Sequence, residues 1–187
     1  MSTLKVNNID TQTGSNIVVA SGKVLSAAGH IIQVVRNIPT TTSSVTLASS
    51  TMAELDTSYR TTITPKFASS LLRLNFNGLI SGQNTSAIMT FKFFDVTNSS
   101  NVGFSTLGTG SSRTFGNASF RNKDHDANDR VHLNMTTYQS ASNTTARTYG
   151  IYAQIEGSNT IYANMTTTDN AGCSYGAPVF TIEEIAQ

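Results

Sequence analysis

The sequence predicts an all-β fold: an antiparallel, jelly-roll-like β-sandwich head preceded by an extended N-terminal segment. Three observations predict it. Short runs of alternating apolar and polar residues recur along the chain, separated by Gly-, Asn- and Ser-rich turns. Ser, Thr and Asn are abundant throughout; they disfavour helix interiors, and Thr suits a pleated surface. No stretch sustains a helical period, and no internal repeat at a fixed spacing is present.

Two parts are expected. Residues 1–29 form an extended docking or stalk segment, and residues 30–187 the sandwich head. In the lead, Leu4, Val6, Ile9, Ile17, Val19, Val24 and Leu25 are short apolar beats between turn signals such as Thr13-Gly14-Ser15-Asn16. They are too few to fold alone. A free tail and a segment ordered by its copies or by a partner both fit; the apolar beats favour the second. These seven residues are the expected docking and assembly set. Gly29 is the natural place for a bend between lead and head.

The head opens with a strand over His30 to Val35. Pro39 interrupts a Thr/Ser-rich stretch in which Val45 to Leu47 alternate. Met52 to Asp56 is read as a helical turn, with Thr51 as N-cap and Glu54 at the third helical position. Tyr59 to Pro65 alternates. Leu72, Leu74 and Phe76 share one strand face, opposite Arg73 and Asn75. Asn77-Gly78 is a turn signal, although the apolar run continues through Leu79-Ile80. Met89, Phe91 and Phe93 share a face, while Ile88, Phe94 and Val96 make the other face partly apolar. That two-sided pattern predicts cover on both sides, by a second sheet and by another subunit. Val102 to Phe104 and Phe115 to Phe120 are short strands. Val131, Leu133 and Met135 alternate, as do Tyr149, Ile151, Ala153 and Ile155. Glu156-Gly157-Ser158-Asn159 reads as a hairpin turn, with Ile161, Ala163 and Met165 on the returning strand. Val179 to Ile185 is the last strand.

Composition limits function. Charged residues are 12% of the 187 and the net charge is +1, which supplies no long-range field for nucleic acid or an anionic membrane. No partner of either kind is expected, and no membrane insertion, since no run of about 18 apolar residues occurs. Lys5 is followed by Asn7, Asn8 and Asp10 in place of a signal-peptide core, so synthesis in a cytoplasm is expected. Cys173 is the single cysteine, which excludes an internal disulfide and reads as a buried thiol.

Signals for chemistry are sparse. Asp124, His125, Asp126 and Asp129 are the best metal candidates, as hard oxygen ligands with or without the imidazole. They lack the glycine and terminal glutamate of an EF-hand loop, and a solvated loop is the preferred reading. His30 reads as a polar strand-end residue. Glycan hydrolysis needs two flanking carboxyls; Glu54, Asp56, Asp95, Asp124, Asp126, Asp129 and Glu156 carry no local signature for it. No nucleophile elbow, phosphate loop or zinc spacing is present. No cofactor and no catalytic residue is expected. Tyr138, Tyr152, Tyr162 and Tyr175 are candidate surface-recognition residues, able to stack on sugar rings. Tyr152 and Tyr162, either side of the Glu156 turn, are expected to form one cross-strand patch.

Three stretches carry a resemblance. His30-Ile31-Ile32-Gln33-Val34 follows the lead that opens Ser2-Thr3-Leu4-Lys5-Val6-Asn7. Then come Thr64-Pro65-Lys66-Phe67-Ala68-Ser69-Ser70, after Tyr59 to Ile63, and the final Phe180-Thr181-Ile182-Glu183-Glu184-Ile185. Their order resembles structural proteins of tailed bacteriophages, particularly marine ones, of the tail-fibre, head-fibre or knob type. The resemblance covers nearly the whole chain, and its motifs are structural. It implies a homotrimeric β head on an N-terminal segment that docks to other virion proteins. The expected function is a non-enzymatic virion component, a fibre, knob or capsid decoration, with a host-surface glycan as a further candidate partner in host attachment. The alternative is a carbohydrate- or receptor-binding module. Loops 81–86, 106–112, 121–129 and 140–145 are the expected contact loops, from their length and polarity.

Overall fold

The structure, a computed structural model, describes residues 27–40, 43–47, 52–82, 87–103, 116–121, 131–157, 159–164 and 177–187. The strands are β1 (Ile31–Asn37), β2 (Ser43–Leu47), β3 (Ala53–Glu54), β4 (Thr61–Ile63), β5 (Leu71–Gly82) and β6 (Ile88–Asp95). They continue with β7 (Ser100–Asn101), β8 (Ala118–Arg121), β9 (Val131–Ser140), β10 (Arg147–Ile155), β11 (Asn159–Ala163) and β12 (Val179–Ile185). One sheet runs β1-β12-β5-β11-β2, with β9 on the other edge of β5. The second runs β3-β10-β6-β7, with β4 also on β10 and β8 also on β6. The all-β antiparallel sandwich expected from the sequence is what forms.

Its connectivity is that of one long hairpin folded back on itself. β1 pairs with β12, β4 with β10, β5 with β9 and β6 with β8, every pair antiparallel. Among these eight strands the sheet orders are β1-β12-β5-β9 and β4-β10-β6-β8. Wrapping a nested hairpin in this way gives the jelly roll.

Alternation places the core. On β5, Leu72, Leu74 and Phe76 are fully buried, and their partners on β12 are Glu184, Ile182 and Phe180. The opposite sheet supplies Met89, Phe91 and Phe93 from β6, with Tyr149, Ile151, Ala153 and Ile155 from β10. Aromatic rings cross between the layers. Tyr59 meets Phe76 edge-on at 5.7 Å between centroids, Phe76 meets Phe180 at 6.5 Å, and Phe180 reaches Phe93 of the other sheet at 5.4 Å. Each such ring adds about 1.5–3 kcal/mol by leaving water.

Four local expectations are corrected. Met52 to Asp56 is not helical: Ala53 and Glu54 pair with Ala153 and Tyr152 as β3. A single 3-10 turn follows at Thr57–Tyr59, capped by Asp56, whose Oδ1 accepts from the Ser58 N–H at 2.7 Å. The turn sinks Tyr59 into the core, and that burial outweighs the weak capping-box signal. Asn77-Gly78 lies within β5. A Cβ on Gly78 would sit 2.8 Å from the Phe76 ring, so glycine is there for packing. Around Val102, the strand is Ser100–Asn101, and Val102 itself is a buried bend residue. Finally, Glu156 to Asn159 is not a hairpin, because β10 and β11 belong to different sheets. Both edges of β10 are already taken, by β6 on one side and by β3 and β4 on the other. β11 instead pairs with β2 and with Ile80 to Gly82 of β5.

Gly29 lies in a local turn at the start of the described head. Gly29 has φ +85°, its N–H donates to the Ala186 carbonyl at 2.8 Å, and the Ala186 N–H donates to the His30 carbonyl at 2.8 Å. Nothing lies within 4 Å of a Cβ built there. Gly29→Ala is therefore expected to cost only the left-handed backbone term, about 1 kcal/mol. A melting temperature lowered by roughly 3 °C would show it.

One side of the sandwich is sealed by amides. Asn37 Nδ2, on β1, donates to the Ser58 and Arg60 carbonyls at 2.8 and 3.0 Å. Gln33 Nε2 donates to the Thr64 carbonyl and to Glu184 Oε2, both at 2.7 Å. The edges of the two sheets are thus joined by side chains at a place where exposed strand edges would invite strand addition.

Candidate functional site

Two constellations stand out among the described residues. The first is internal. Period-two alternation along Phe180, Ile182 and Glu184 turns the Glu184 carboxylate inward, where the residue is fully buried. The backbone N–H groups of Lys66 and Phe67 donate to Oε1 at 2.8 and 3.0 Å, and Gln33 donates to Oε2. Burial by itself would raise this carboxyl's pKa; the donors outweigh burial and hold it below its ordinary value. Three stretches far apart in sequence, 30–34, 64–70 and 180–185, therefore meet at one carboxylate. Gln33 comes from the first, Lys66 and Phe67 from the second, and Glu184 from the third. This is a structural tie, since all its acceptor capacity is turned to the chain.

The second constellation is external, on the outer face of the β12–β5–β9 sheet. Residues that alternate with the core positions line up across the strands in register. One row is Val34, Glu183, Arg73 and Tyr138; the next is Arg36, Thr181, Asn75 and Thr136. Arg73, Asn75, Thr136, Thr181 and Glu183 line a shallow trough of about 320 Å³. The Arg73 guanidinium is ion-paired with the Glu183 carboxylate across neighbouring strands. Asn75 Nδ2 donates to the Thr136 hydroxyl at 2.7 Å, fixing both side chains. Tyr138, 49% exposed, is the register partner of Arg73 on β9, next to but not part of the trough's lining.

The expected recognition tyrosines are not brought together. Tyr138 lies on a strand of the first sheet. Tyr152 is on the outer face of the second sheet, packed on Phe94 at 4.5 Å, with the Lys92 ammonium over both rings at 5.0 and 6.0 Å. Tyr162 is on β11, opposite Ser44 and Ser81. The expected Tyr152–Tyr162 patch does not form, for the reason that the 156–159 hairpin does not. Tyr175, Cys173, the Asp124, His125, Asp126 and Asp129 cluster, and Leu4, Val6, Ile9, Ile17, Val19, Val24 and Leu25 lie outside the described residues.

The described carboxylates are occupied locally. Glu54 clasps Arg60 through two contacts of 2.7 Å, and Asp56 caps the 3-10 turn. Asp95 accepts from the Asn98 N–H and side-chain amide, and Glu156 accepts from the Ile88 N–H at 3.3 Å. Among the described residues no three His, Cys, Asp or Glu side chains group as metal ligands. Sequence reasoning missed both Glu183 and Glu184. The signal was available: adjacent acids on a strand must point to opposite faces, so one of them had to enter the core.

No family model matches the chain, and no curated protein matches it.

Proposed function

We propose that this chain is a non-enzymatic structural component of a phage particle: a trimeric fibre, knob or decoration protein. Its N-terminal segment docks to other virion proteins and its jelly-roll head is displayed. The observation that carries this reading is the joint at Gly29. The lead meets the head at a turn latched to Ala186 by two backbone hydrogen bonds. Directly beyond it, Ile31 and Val34 are 51% and 55% exposed on an outer sheet face. A chain of low charge that leaves such residues uncovered gains by packing against copies of itself. The resemblance supports the same assignment.

Removing residues 1–25 tests it. The truncated chain is expected to keep a folded head and to lose incorporation into particles. The full chain is expected to sediment as a trimer. Normal loading of the truncated chain, or a monomer at micromolar concentration, would remove the proposal.

A second reading, a carbohydrate-binding head, is favoured by Tyr138 beside the polar trough. The two readings share one sheet face, since Val34 on β1 is the register partner of Glu183 on β12; they are compatible where packing between copies stops at β1 and leaves the β12–β5–β9 trough open.

A further inference from the structure

We infer that the trough on the β12–β5–β9 face binds a neutral pyranose sugar, with one face of the ring stacked on Tyr138. This deepens the second reading and places the contact on a sheet face instead of on the loops expected from polarity.

The chemistry follows from the lining. A pyranose presents a C–H face and a girdle of hydroxyls that both donate and accept. Tyr138 supplies an exposed aromatic side chain beside polar lining residues. Arg73 supplies donors, Glu183 acceptors, and Asn75, Thr136 and Thr181 supply both. Adjacent strands are about 4.8 Å apart, so side chains of β12, β5 and β9 converge over a width of about 10 Å, which suits one ring. The volume of about 320 Å³ sits at the small end of ligand sites, again the scale of a single residue of a glycan.

Charge selects the class of sugar. The guanidinium in the trough is neutralised by Glu183, and no second cation lines it. Among the lining residues a phosphate, sulfate or sialate would find no uncompensated positive charge; the exposed Arg36, register partner of Thr181, stands outside that lining. The same pairing separates binding from cleavage: the trough holds one carboxylate, and hydrolysis needs two. Preorganisation adds to the case, because the Asn75–Thr136 hydrogen bond and the Arg73–Glu183 pair hold the polar groups in place before a ligand arrives. Phe94 and Tyr152 on the other sheet do not offer this. The Lys92 ammonium lies over the Phe94 and Tyr152 rings.

The test is an array of immobilised neutral, sialylated and sulfated oligosaccharides probed with the full-length chain. Binding to neutral glycans is expected. Tyr138→Ala should weaken it about tenfold, the size of one lost stacking contact. Tyr138→Phe should retain it, since the ring remains. Because Tyr138 is exposed, both variants are expected to melt and sediment like the parent chain and to load onto particles normally. The inference is overturned by binding that survives Tyr138→Ala, by binding confined to acidic glycans, or by absence of binding across the array. None of these would touch the docking proposal, which is read by particle incorporation.

Discussion

Glu184→Ala is expected to destabilise the head by about 4 kcal/mol, the largest effect of any single polar change. The substitution leaves the Lys66 and Phe67 N–H groups and one Gln33 donor without their acceptor at a part-buried place. Each orphaned donor costs about 1–3 kcal/mol. In melting temperature this is a fall of roughly 10 °C. Glu184→Gln should recover only part of it, because the amide restores one acceptor and turns an N–H group toward other donors. The acid limb of the stability curve gives an independent reading. The folded carboxyl titrates below its ordinary value, so protons bind the unfolded chain more readily. The stabilisation is therefore complete above the unfolded pKa of about 4.3 and is lost as pH falls from there through the folded value. Urea unfolding followed from pH 6 downward should show this decline in the parent and a shallower one in Glu184→Ala. Equal slopes in the two proteins would disprove the role given to the carboxylate.

Phe180→Ala is expected to cost about 4 kcal/mol by a different route. Its ring is fully buried and touches Phe76 in its own sheet and Phe93 in the facing one. Truncation opens a cavity where the two layers meet, between rings that backbone pairing holds apart. Phe180→Leu fills most of the space and should cost less than half as much. The urea midpoint should shift in that order with the slope unchanged. A Phe180→Ala protein as stable as Phe180→Leu would mean that the sheets close over the gap.

Much of this fold was legible because burial alternates with the pleat. Leu72, Leu74 and Phe76, or Tyr149 to Ile155, declare their face within a few residues. Pairing was less legible. The Glu156 to Asn159 turn has hairpin residues, yet the partner of the next strand was decided by edges of β10 occupied from elsewhere in the chain. The helical turn at Met52 to Asp56 failed for a related reason, since the distant β10 recruits Glu54. The buried tie was half legible: alternation sends Glu184 inward, but its donors lie more than a hundred positions away. The trough is the hardest case, because Arg73, Thr136 and Glu183 become neighbours only when β5 accepts partners on both sides.

The joint at Gly29 also sets how the head answers force. A pull on the lead enters at β1, whose first rung faces the last residues of β12. Directed along the strand, the load falls in shear on the whole β1–β12 ladder at once. Directed across it, the rungs open one after another from the Gly29–Ala186 end. Gln33 and Asn37 fasten the same strand to the opposite sheet, and Glu184 fastens the 66–67 backbone beside it. β1 is therefore anchored along both margins, and the head should be strongest when its lead is drawn parallel to that strand.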